Sequence, residues 1–230
     1  TTKYITFAGS TALPANICTG DKVIRWWDQG WTPGALSKNV TIGDQTFNFT
    51  ITDAGNVRYF SAAYPRTVWS RLYIPRYDNQ ENSAIDFKMA MSKPAREIEL
   101  TVADIDGWFY GKDKVTITGK IGGVPVTGKF TATKQPPSVY QITHGGPPAN
   151  PVNDFTGSIY PVDLSTWGNL HVVFDRPVDE MTISYKKDNL YDSWTVFNDI
   201  QIGDITVRCT EPEALVPVVD NVYLQKTAPL

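Results

Sequence analysis

Between the strand-like run Ile98–Val102 and the next at Val115–Ile117 lies Asp104-Ile105-Asp106-Gly107, followed by Asp113. Three carboxylates around a glycine that permits a tight turn are hard oxygen ligands of the kind calcium takes. Asp104, Asp106 and Asp113 are the expected metal residues, and calcium is the one cofactor the sequence suggests. The spacing departs from that of an EF-hand loop. The competing reading has the same aspartates accept hydrogen bonds from backbone N–H groups at a strand end.

A second chemistry comes from aromatic rings set among planar polar groups. Trp69, Tyr73 and Tyr77 interleave with Arg66, Arg71 and Arg76, and Trp108, Phe109 and Tyr110 follow the acidic loop. Rings in loops cover ligand area at low entropy cost, and guanidinium groups fork to carboxylates or stack on rings. The expected ligand surface is built from Trp69, Arg71, Tyr73, Arg76, Tyr77, Trp108, Phe109 and Tyr110, for an acidic or polyhydroxylated ligand. Two further clusters are Trp26-Trp27-Trp31 and Tyr191-Trp194. Each ring has a competing role as a plug at the end of the core, and at least one cluster is expected at the surface.

Catalysis finds little support. The histidines are His144 and His171, the latter mid-strand and expected on an outer sheet surface. No nucleophile elbow, phosphate loop or histidine-rich metal motif occurs. Glu97 and Glu99 share a strand face, as a glycosidase pair would, but solvated charges on an outer face account for them equally. The expectation is a protein that is not an enzyme. A net charge of -3 argues against nucleic acid, which selects a basic face. No apolar run reaches the roughly 20 residues that span a bilayer, so membrane insertion is not expected.

Cys18 and Cys209 sit near opposite ends of the chain. A disulfide between them closes a loop over most of the sequence, which loop-closure theory values at roughly 4–5 kcal/mol. Two buried free thiols are the alternative. The disulfide reading implies an oxidising, extracellular or cell-surface setting.

Strands must position these groups. Ile85, Phe87, Met89 and Met91 alternate with polar or small residues, Ser92-Lys93-Pro94 turns, and Ile98, Leu100 and Val102 alternate with Glu97, Glu99 and Thr101. The plan returns at Leu170, Val172 and Phe174, a turn at Asp175-Arg176-Pro177, then Met181, Ile183 and Tyr185. Both copies read as β-hairpins, one in each of two facing sheets, with Leu100, Val102, Val172, Phe174 and Ile183 in the shared core. Asn39 to Thr52 reads as another hairpin, residues 62–83 as irregular, and residues 134–154 as a long loop. No helical pattern of ten residues occurs. The fold class is therefore all-β, a jelly-roll sandwich of two antiparallel sheets, and a 230-residue chain with 41% hydrophobic residues suffices for one such domain. It is expected over residues 1–209. Residues 210–230 read as a linker and a lone strand, leading to a next module or pairing with another subunit.

The repeated apolar strand, basic residue, Pro, Glu and alternating strand, then Asp-Ile-Asp and a later Asp-x-Val, resembles the jelly-roll, lectin-like domains of bacterial surface adhesins. The CshA-type non-repeat domain of streptococci is one such case. The resemblance rests on Phe87–Thr118 and Leu170–Val207. It implies an extracellular domain that binds glycan or a host or neighbour protein through loops at the sandwich rim, ahead of repeat modules. Asp220–Thr227 looks like the opening strand of such a repeat. Two alternatives stand beside it: a filament subunit that self-associates by strand addition through its terminal strands, and a carbohydrate-binding module of a secreted hydrolase.

Overall fold

The computed structural model describes residues 16–52, 65–68, 70–76, 84–105, 107–108, 111–132, 139–141, 154–157, 169–188 and 198–210. The expected strand at 220–227 and the rest of residues 211–230 lie outside them. In chain order the strands are β1 (Lys22–Ile24), β2 (Ser37–Ile42), β3 (Gln45–Thr52), β4 (Arg66–Val68), β5 (Arg71–Arg76) and β6 (Ile85–Ala95). Next come β7 (Glu97–Ala103), β8 (Gly107–Trp108), β9 (Gly111–Ile121), β10 (Val124–Val126), β11 (Lys129–Ala132) and β12 (Val139–Gln141). The last are β13 (Asp154–Gly157), β14 (Leu170–Phe174), β15 (Val178–Asp188), β16 (Asn198–Ile202) and β17 (Ile205–Arg208). Among the described residues there is no helix, hence none long and apolar enough to cross a membrane.

The strands form a sandwich of two antiparallel sheets, as the alternating apolar pattern requires. One sheet runs β1-β17-β7-β16-β5-β4, with β14 on the other side of β7 and β11 beyond it. The other runs β12-β13-β9-β15-β6-β3-β2, with β8 and β10 on β9. Leu100, Val102, Val172, Phe174 and Ile183 are all buried in the core between them.

The repeated units are not hairpins. β6 lies in the second sheet and β7 in the first, so the chain changes sheet at Arg96; β14 and β15 change sheet in the same way. Each copy then pairs with the other. β6 lies against β15, with Phe87 opposite Ile183 and Met89 opposite Met181. β7 lies against β14, with Leu100 opposite Val172 and Ile98 opposite Phe174. Alternation fixes which face of a strand is dry but leaves its partner open. Pro94 does not end the ladder. It falls in an irregular stretch of β6, since Ala95 faces Val178 while Ala90 faces Glu180, and a bulge tolerates the missing N–H.

Residues 62–83 contain order as well. Leu72 and Ile74 are fully buried and alternate with Arg71 and Tyr73 along β5. Pro75 lies past the three residues of β4, so its missing donor removes no bond to that neighbour. Residues 134–154, read as a loop, include β12, which pairs with β13.

β16 and β17 follow one another along one edge of β7, because Val102 pairs with both Leu170 and Ile202 while Ile98 pairs with both Phe174 and Val207. The break falls at Gly203-Asp204, where the Gly203 N–H donates to the Thr101 carbonyl at 2.8 Å. There the outer neighbour changes from β1 to β5.

Phe174 projects across the sandwich onto β9. A Cβ placed on Gly119 would lie 2.6 Å from the Phe174 Cε1. Gly119→Ala is therefore expected to lower stability by about 1–3 kcal/mol through overpacking, read by denaturant titration. An unchanged midpoint would mean that the ring moves aside freely.

The two sheets are also tied at their edges. Cys18 and Cys209 form a disulfide with Cα atoms 5.1 Å apart. The Asp21 carboxylate accepts from the Cys209 N–H at 2.9 Å and from the Thr210 N–H at 3.2 Å, and those two bonds hold it below the usual carboxylate range. Arg96 donates through Nε to the Cys209 carbonyl at 3.2 Å. Lys22 of β1, only 6% exposed, places its ammonium 3.2 Å from Asp44 in the β2–β3 turn and donates to the carbonyls of Thr19 and Gly20. Lys93 binds the same Asp44 carboxylate at 2.7 Å. Lys93 first, then Lys22, hold Asp44 far below the ordinary carboxylate range.

Candidate functional site

Asp104 follows β7 and adopts φ 65°, a left-handed conformation that aspartate tolerates better than most residues. This breaks the strand alternation: Val102, Ala103 and Ile105 are buried while Asp104 is half-buried. Its Oδ2 accepts from Gln201 Nε2 at 3.1 Å. Gln201 Oε1 in turn accepts from Arg71 Nη1 at 2.7 Å. One amide thus joins the start of β5 to the end of β7. Gln201 is 6% exposed although it alternates with the core residues Ile200 and Ile202, and a buried amide must find partners on both ends. Arg71 and Asp104 supply them.

Asp199, two residues earlier on β16, lies within reach of the Asp104 carboxyl and the Gln201 side chain. Burial, then the hydrogen bond and charge of Asp104, then the charge of Asp113, push its carboxyl up to about 9. At neutral pH Asp199 therefore keeps its proton. Asp113 is 1% exposed on β9 of the opposite sheet, and its Oδ1 accepts from the Tyr185 hydroxyl at 2.8 Å. The charge of Asp113 on one sheet thus acts on Asp199 of the other.

The proton kept by Asp199 has a pH signature. Asp199 keeps its proton in the folded state where the unfolded chain, with an ordinary pKa of 3.8, has lost it. Its stabilising contribution is complete below about pH 4 and falls as the pH rises toward 9. Asp199→Asn keeps a donor to Asp104 at every pH. Its melting temperature is expected to gain on that of wild type steadily from pH 5 to pH 8.5. Parallel curves for the two proteins would contradict the proton kept by Asp199.

Of the residues expected to bind ligand, Arg71 and Tyr73 lie on β5, both half-buried. The Arg76 backbone ends β5 and the Trp108 backbone pairs with Gly111. The side chains of Arg76 and Trp108 lie outside the described residues, as do Trp69, Tyr77, Asp106, Phe109 and Tyr110. Asp104 and Asp113 each accept a hydrogen bond from a side chain, that of Gln201 and that of Tyr185. Among the described residues no group of three or more His, Cys, Asp or Glu side chains is placed to hold a metal ion. His171 lies on β14, half-exposed, with Nε2 3.5 Å from Glu99. Arg208 spans Glu97 and Glu99 at 2.7 and 3.2 Å on the same outer face.

Gln201 and Asp199 escape a reading of the sequence, while Tyr185 is legible there only as an alternating residue of the core. Asp199 and Gln201 alternate with isoleucines and so look like the wet side of a strand. Comparison of the chain with protein-family models, with characterised proteins and with solved structures gives no match.

Proposed function

We propose that this chain is an extracellular binding domain of the surface-adhesin kind, not an enzyme, that takes a glycan or a host or neighbour protein on one end of the sandwich. The observation that carries this reading is the Arg71–Gln201–Asp104 chain of hydrogen bonds. It joins Arg71 of β5 to Asp104 at the end of β7, two residues whose guanidinium and carboxylate suit a ligand surface. Loops and strand ends held on a rigid sheet are where β-sandwiches place variable chemistry. The disulfide supports an extracellular setting, since such bonds persist in oxidising compartments.

The experiment is a sedimentation measurement of the purified chain, joined to a binding screen on immobilised oligosaccharides and extracellular matrix proteins. A monomer that binds a defined ligand is the expected result. Polymers that bind nothing would replace this reading with a filament subunit.

A further inference from the structure

The three tryptophans near the N-terminal end of the described chain have separated roles. Trp26 is fully buried and Trp31 is 4% exposed, while Trp27 is 64% exposed. The turn that does this is well fastened. The Arg25 carbonyl accepts from the N–H groups of Asp28 at 3.1 Å and Gln29 at 3.2 Å. Trp26 locks the turn to the β16–β17 break, its indole N–H donating to the Gly203 carbonyl at 2.7 Å and its backbone N–H to Asp204 at 3.3 Å. An indole is among the most costly groups to leave in water, and this one is held outward by its neighbours instead of folding over the core.

We infer that Trp27 is a stacking platform for a neutral hexopyranose within a glycan. The apolar area offered is one indole, with Val23 of β1 at 42% exposure close by in the chain. That falls far short of the roughly 800 Å² per partner of a stable protein interface, but it matches one face of a sugar ring. The polar residues of the same turn, Arg25, Asp28 and Gln29, carry planar hydrogen-bonding groups. Arg25 and Asp28 lie 4.0 Å apart as an exposed ion pair. Lys38, donating to the Gly30 carbonyl, and Asp204, accepting from the Trp26 N–H, add one charge of each sign, so the turn offers donors and acceptors without net charge. That selects a neutral sugar over a sialic or uronic acid. The rigid turn limits the entropy lost on binding.

This inference rests on the reading of the chain as a binding domain, but not on the Arg71–Gln201–Asp104 network. The test uses the whole chain against immobilised cello-, manno-, xylo- and chitohexaose, and against extracellular matrix proteins. Wild type, Trp27→Ala, Trp27→Tyr and Arg71→Ala are compared, each with its melting temperature recorded. At least one neutral hexasaccharide is expected to bind, with affinity at least tenfold weaker in Trp27→Ala and largely kept in Trp27→Tyr. A hexasaccharide bound equally by Trp27→Ala overturns the platform and leaves the binding-domain reading standing. Binding to protein but to no hexasaccharide overturns the sugar assignment alone. Binding to nothing overturns both readings. Trp27 is exposed, so its variants are expected to melt with wild type.

Discussion

Cys18→Ala with Cys209→Ala is expected to lower the unfolding free energy by about 4–5 kcal/mol. The two half-cystines are 191 residues apart in sequence, and cross-linking so long a loop removes much of the denatured chain's freedom. The bond joins the segment before β1 to the end of β17, and the Cys18 N–H donates to the Pro94 carbonyl at 3.0 Å. It therefore ties the edge of the first sheet to β6 of the second. Both half-cystine residues are buried, at 3% and 4% exposure, so alanine is the suitable replacement. Denaturant titration of oxidised wild type and the double variant reads the difference. Thiol titration of unfolded, unreduced wild type should find no free thiol. Two free thiols, or a difference below about 1 kcal/mol, would contradict this role.

The second large effect is at Trp26. Its ring packs edge-on against Trp31, Phe49 and Phe87 at centroid distances of 5.9, 5.2 and 6.0 Å. Phe49 and Phe87 belong to β3 and β6 of the second sheet, while Trp26 leaves β1 of the first. The same ring hydrogen-bonds Gly203, where β16 gives way to β17. Trp26→Ala is expected to cost about 3–5 kcal/mol, the range for removing a fully buried large aromatic. Trp26→Phe refills much of the space but leaves the Gly203 carbonyl without that donor, at about 1–3 kcal/mol. Equal losses in the two variants would mean that the hydrogen bond, not the packing, sets the cost.

What was legible in the sequence follows from what each signal encodes. Period-two alternation names a dry face, so Leu100, Val102, Val172, Phe174 and Ile183 were readable as core. It does not name a partner, so the change of sheet at Arg96 and the pairing of one repeat with the other were not. The disulfide was legible from two cysteines at opposite ends of the chain. β5 was hidden because arginine, tyrosine and proline surround Leu72 and Ile74, although those two residues alone keep the period. Asp104 and Arg71 were legible by type, since carboxylates and guanidinium groups stand out near aromatic residues. Gln201, which connects them, was not, because burial of an amide arises only when strands distant in sequence are brought together. Likewise Trp26, Trp27 and Trp31 are alike in sequence. Only the fastening of the turn to Gly203 and Asp204 decides which ring faces water.

The most direct test of a ligand surface at the Arg71–Gln201–Asp104 end is binding by two variants that alter the network at its ends. Arg71→Ala removes the guanidinium, and Asp104→Asn keeps size and the left-handed backbone while removing charge. Surface plasmon resonance on the ligand found for wild type, with melting temperatures measured alongside, separates binding from folding. Both variants are expected to fold and to bind at least tenfold more weakly, about 1.4 kcal/mol or more. Folded variants that bind as tightly as wild type would contradict the assignment of the ligand surface to this end of the sandwich.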